Sequence, residues 1–94
     1  MIELEEVYSD ISPWKQGDIL MQVGGSAKKV VVGGGNYHYG VWLLLRVYNM
    51  DTRCVEDLSK TEADWLCVKV GTYDFENGRE VRTRCPDTSP NSTL

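Results

Sequence analysis

The sequence predicts a small, mainly β fold, on the α+β border: a five-stranded antiparallel bent sheet, or an SH3-like or OB-like barrel, with a short N-terminal helix. Three observations carry that expectation. Apolar residues alternate or run continuously in short segments, glycine-rich and Asn-Gly breaks separate those segments, and the 94-residue length fits one domain. A chain of this size buries only roughly 60 to 65% of the surface its unfolded form exposes, which disfavours a deep catalytic cleft. Residues 1–85 read as the domain, and 86–94, rich in Pro, Ser, Thr and Asn, as a mobile tail.

Leu4, Val7, Tyr8 and Ile11 fall at i, i+3, i+4 and i+7, which predicts a helix that Ser12-Pro13 ends. The competing reading is an extended segment with Ile2 and Leu4 facing one way. Lys15-Gln16-Gly17-Asp18 predicts a turn into a strand at Ile19–Val23, and Gly24-Gly25-Ser26 a second turn. The β-branched run from Lys28 to Val32 then meets Gly33-Gly34-Gly35-Asn36, which predicts a hairpin loop. Neither a P-loop nor a dinucleotide fingerprint is present around these glycines.

The strand expected at Tyr37–Tyr48 is apolar on both faces, Val41, Leu43, Leu45 and Val47 on one and Trp42, Leu44 and Tyr48 on the other. Such a strand is covered on both sides and forms the core. Asn49-Met50-Asp51 turns the chain. Ser59 and Glu62 have capping-box spacing for one or two helical turns. Trp65–Thr72 alternates as a strand, Phe75-Glu76-Asn77-Gly78 predicts a tight hairpin, and Glu80–Arg84 returns as a charged edge strand.

Charge is uneven along the chain. The net charge is −4, yet residues 21–50 hold Lys28, Lys29 and Arg46 and no acid. Together with Tyr37, His38 and Tyr39 these cations define a candidate basic, aromatic hairpin of the kind that stacks single-stranded nucleic acid. Trp14, beside Pro13, is a candidate anchor for a protein partner, or else a cap on the core.

Catalysis finds little support. The only histidine, His38, has no nearby nucleophile in sequence, and the carboxylate pairs Asp51 with Glu56 and Glu62 with Asp64 read as solvated turn charges. Cys54, Cys67 and Cys85 lack zinc-site spacing, so neither metal nor cofactor is expected, and the odd count without an export signal points to the cytoplasm. The longest apolar run, Val41–Leu45, is far below the roughly 18 residues of a membrane span. The expectation is a non-enzymatic protein-binding module, an accessory or inhibitory protein of a phage or mobile element. The alternative is a nucleic-acid-binding barrel, and a homo-oligomer paired through an edge strand fits either.

Overall fold

The structure, a computed structural model, describes residues 2–37 and 42–81, with Asn36, Tyr37 and Trp42 described by backbone alone. Six strands and one helix follow in the order β1 (Asp18–Gln22), β2 (Lys28–Tyr37), β3 (Trp42–Asn49), β4 (Cys54–Ser59), α1 (Lys60–Leu66), β5 (Cys67–Asp74) and β6 (Arg79–Val81). They form one antiparallel sheet in the order β4-β3-β2-β1-β5-β6. The first four strands make a meander, and α1 carries the chain across to the far side of β1.

The sheet is open, which corrects the barrel expectation. Closure requires every strand to find two neighbours. Among the described residues β4 pairs only with β3, and β6, three residues long, only with β5. The strand count also exceeds five because β4 escapes a reading by periodicity. Its sequence, Cys-Val-Glu-Asp-Leu-Ser, places acids in mid-strand, where pairing with β3 and ion pairs to Lys29 and Arg46 accommodate them.

Two cores lie on the two faces of the sheet. Leu20, Val31, Leu45, Val47 and Leu58 pack on one face with Ile11 from the N-terminal segment and Ala63 from α1. On the other, Ile19, Val30 and Val32 pack with Ile2, Tyr48, Val70, Tyr73 and Phe75. This division follows directly from strand alternation. Leu45 and Val47 on one side and Tyr48 on the other agree with a β3 covered on both faces.

Gly33, Gly34 and Gly35 are not a hairpin loop but the buried interior of β2, opposite Arg46, Leu45 and Leu44. The reason lies in the N-terminal segment. Residues 2–11 form no helix; they run as an extended strap along the edge of β2 that β1 leaves free. The Glu5 amide donates to the Val32 carbonyl at 2.8 Å and the Tyr8 amide to the Gly34 carbonyl at 2.7 Å, while Val7 bridges Gly34 in parallel. Main-chain groups on a buried strand need partners, and this need overrides a short amphipathic helix. The strap's apolar set consequently splits, Ile2 and Ile11 turning inward and Leu4, Val7 and Tyr8 outward.

The strap passes so close that β2 has no space for side chains there. A Cβ on Gly33 would lie 2.8 Å from the Glu6 carbonyl oxygen, and one on Gly35 2.7 Å from the Ser9 amide nitrogen. The β2–β3 register shifts between Val31 and Gly33, so the sheet bends where the glycines begin.

Ser59 stands at the N-cap of α1, but its side chain makes no capping hydrogen bond. It is still the last residue of β4, opposite Leu44, with extended backbone. The seven-residue helix is anchored instead by the wholly buried Ala63. Trp65 and Leu66 belong to this helix, and β5 begins only at Cys67, two residues later than alternation predicts.

The Asn77-Gly78 hairpin forms as expected, with Gly78 at φ 68°. Asp74 organises it: its carboxylate accepts from the amides of Glu76 and Asn77 at 3.0 and 3.2 Å and from the Asn77 side chain at 2.6 Å. The Asn77 side chain and then its amide hold the Asp74 carboxyl below the usual carboxylate range. A depressed folded value means that the stabilisation is present above the unfolded pKa and is lost as pH falls through the folded one. An acid titration followed by NMR should therefore show the Asp74 carboxyl carbon titrating below an ordinary aspartate, with the Glu76 and Asn77 amides moving in step.

Candidate functional site

Of the seven residues the sequence singles out, the structure describes the side chains of four. His38 and Tyr39 lie outside the described residues, and Tyr37 is described only as the end of β2. The remaining cations do not form a shared basic face. Lys28 and Lys29 are consecutive in β2 and leave it on opposite faces. Lys28 Nζ meets the Glu80 carboxylate of β6 at 3.1 Å, and Lys29 Nζ meets Glu56 of β4 at 2.9 Å.

Arg46 is held by two acids, its Nη1 donating to Asp57 at 2.6 Å and its Nε to Glu5 at 3.1 Å. These hydrogen bonds, Asp57 first, push the guanidinium above its already high range. Arg46 thus ties the strap to β3 and β4. The acid-free centre of the sequence is neutralised in space by acids that precede and follow it.

The same bookkeeping extends over the described surface. Lys60 pairs with Asp64 at 2.7 Å and Lys69 with the buried Asp18 at 3.2 Å. Outside any ion pair stand Lys15, Arg53 and Arg79 against Glu3, Glu6, Asp10, Asp51, Glu62, Asp74 and Glu76. The uncompensated field of the described residues is acidic, which repels a polyanion and attracts a basic surface.

Trp14 is half-buried against the first core, and its indole N–H donates to Asp64 Oδ1 at 2.8 Å. Asp64 is therefore shared between Lys60 and Trp14, and these bonds, Lys60 first, hold its carboxyl below the usual range. Of the carboxylates in the two spaced pairs Glu62 with Asp64 and Asp51 with Glu56, Asp64 is ion-paired with Lys60 and Glu56 with Lys29. Cys54 is exposed on β4 and Cys67 half-buried at the start of β5, both free thiols. Burial pushes the Cys67 thiol up, the charge of Lys29 draws it down and that of Glu62 adds to the rise.

Among the described side chains, the tryptophan that stands in solvent is Trp65, 81% exposed near the end of α1. Its neighbours in the chain and across the turn are also apolar and open: Leu66 is 44% exposed and Val23 69%, and the Val23 amide donates to the Leu66 carbonyl at 2.7 Å. The sequence did hold a signal for this patch. A helix capped at Ser59 that buries Ala63 turns roughly 200° before Trp65, at 100° per residue, and points it outward. Reading Trp65 as strand hides that phase.

A second group of exposed apolar residues, Leu4, Val7 and Tyr8, lies on the strap beside the opposite half of β2. The outer edge of β4 has no strand partner among the described residues. A symmetric antiparallel pairing of two β4 strands would set Glu56 against Asp57 of the second copy, a like-charge contact at its centre. Among the described residues no cavity opens and no group of three potential metal ligands gathers. No helix among the described residues is long and apolar enough to cross a membrane. No family model, curated protein or solved structure matches the chain.

Proposed function

We propose that the protein is a non-enzymatic module that binds another protein through the patch formed by Trp65, Leu66 and Val23. One observation carries this reading: a tryptophan 81% exposed on a helix whose opposite side is anchored in the core. Exposed Trp costs solubility and contributes nothing to the fold, whereas Trp is enriched among the residues that dominate binding energy at protein interfaces. The helix fixes the backbone that carries the ring before binding, so no backbone ordering is added to the cost of association. The acidic surplus of the described surface favours a partner with basic character.

The test is affinity capture from a cytoplasmic extract, with and without nuclease, using the parent chain and Trp65→Ala. The expected result is one stoichiometric protein, retained after nuclease by the parent and lost by the variant, with a weakening of at least about 2 kcal/mol. Trp65→Ala itself should fold normally, its denaturation midpoint shifting by no more than about 0.5 kcal/mol, because the side chain is exposed. Capture that nuclease abolishes, or capture indifferent to Trp65, would overturn the reading.

A further inference from the structure

The surroundings of Trp65 are unbalanced in charge. Three lysines lie on or beside the face that α1 covers: Lys60 on the helix, and Lys29 and Lys69 on the strands flanking Leu20 of β1. Each is already neutralised, by Asp64, Glu56 and Asp18 respectively. Among the described residues Glu62, one helical turn before Trp65, is left without a counter-ion. Residues at i and i+3 are neighbours on a helix surface, so an unpaired carboxylate stands beside an open indole.

We propose that this patch receives a basic side chain, an arginine or lysine set among apolar residues on a partner protein. The cation would lie over the Trp65 ring and pair with Glu62, while the flanking apolar groups cover Leu66 and Val23. An indole face attracts a cation through its quadrupole, and a carboxylate at the ring's edge supplies the formal charge that the ring lacks. A purely apolar partner would bury Glu62 uncompensated, and an acidic one would be repelled by it. This assignment rests on the reading of the Trp65 patch as the binding surface.

The probe is a yeast-displayed library of random dodecapeptides selected on the full chain. Enriched peptides are expected to carry Arg or Lys beside Leu, Ile or Phe. Their affinity should fall at least about 30-fold against Trp65→Ala. Against Glu62→Gln it should fall about two- to fivefold, a difference that shrinks as salt is raised. Trp65→Phe should retain more binding than Trp65→Leu, since only the former keeps a ring face.

Peptides that depend on Trp65 but are neutral or acidic, or that ignore Glu62→Gln, would overturn the basic-partner assignment and leave the binding patch standing. If no selected peptide depends on Trp65, both fall. Sedimentation of the chain alone supplies the remaining arm: a dimer that Trp65→Ala dissolves would put a second copy on the patch and overturn the assignment to a different protein.

Discussion

Gly34→Ala is expected to destabilise the protein by about 3–5 kcal/mol, through a clash of about 1–3 kcal/mol and backbone strain of similar size. The new Cβ would lie 2.7 Å from the Leu44 carbonyl oxygen and 3.1 Å from the Leu45 Cα, both main-chain atoms of β3 that cannot rotate away. The glycine also sits at φ 148°, a conformation that an L-residue rarely adopts. A domain of this length has a net stability of about 5–14 kcal/mol, so this single methyl group removes a large share of it. Urea denaturation followed by far-UV circular dichroism measures the loss.

Two comparisons make that measurement specific. Gly24→Ala, at φ 85° with no atom within 4 Å of the new methyl, should cost only about 1 kcal/mol, from backbone strain alone. Gly35→Ala pushes against the strap at Tyr8 and Ser9 rather than against β3. It should lift the strap and leave the β2–β3 ladder intact, a smaller loss than Gly34→Ala. A Gly34→Ala protein as stable as the parent would mean that β2 and β3 do not share this register.

Leu45→Asp should leave the chain unfolded in water near neutral pH. Leu45 is wholly buried among Ile11, Leu20, Val31, Val47, Leu58 and Ala63, and none of these offers a cation or a hydrogen-bond donor from its side chain. The substitution loses about 2 kcal/mol of burial and adds a carboxylate that must either stay charged in an apolar site or take up a proton. Leu45→Ala, which leaves a cavity without a charge, should cost about 2–5 kcal/mol. Circular dichroism separates the outcomes: a folded Leu45→Asp would mean that Leu45 does not face the core. Leu43, only half-buried, should tolerate Asp better, and Val41 lies outside the described residues.

The parts legible in the sequence were those whose local chemistry and tertiary environment agree. Ile19 to Gln22 leave a Gly17-Asp18 turn as a strand, β3 buries Leu45 and Val47 on one face and half-buries Leu44 and Tyr48 on the other, and Asn77-Gly78 closes a hairpin. Two of the departures share one cause, which is that a distant segment decides the local outcome. Three successive glycines have the composition of a loop, and they form strand because a segment more than twenty residues earlier lies against them. Residues 4–11 have helical spacing, and they are extended because β2 offers an unpaired edge.

The candidate site repeats that lesson in electrostatic form. Lys28, Lys29 and Arg46 stand together in the sequence without an acid, and Glu80, Glu56, Asp57 and Glu5 reach them only through folding. Of the two roles open to Trp14, the structure shows the cap on the core, and Trp65, read as part of a strand, is the exposed one. The indole beside proline is committed to Asp64 and the core, and the one written into a regular element faces solvent.

The strap is attached to β2 chiefly by main-chain bonds, and the space for it is made by absent side chains on β2. Heritable constraint therefore falls on the receiver rather than on the segment received. Glu3, Leu4, Glu6 and Val7 can drift through many residue types without altering the groove, while almost any change at Gly33 or Gly35 closes it and one at Gly34 forces β3 away from β2. Diverging copies of this protein would accordingly keep a short glycine signature in the middle of the chain and lose resemblance first at the end that the signature exists to hold.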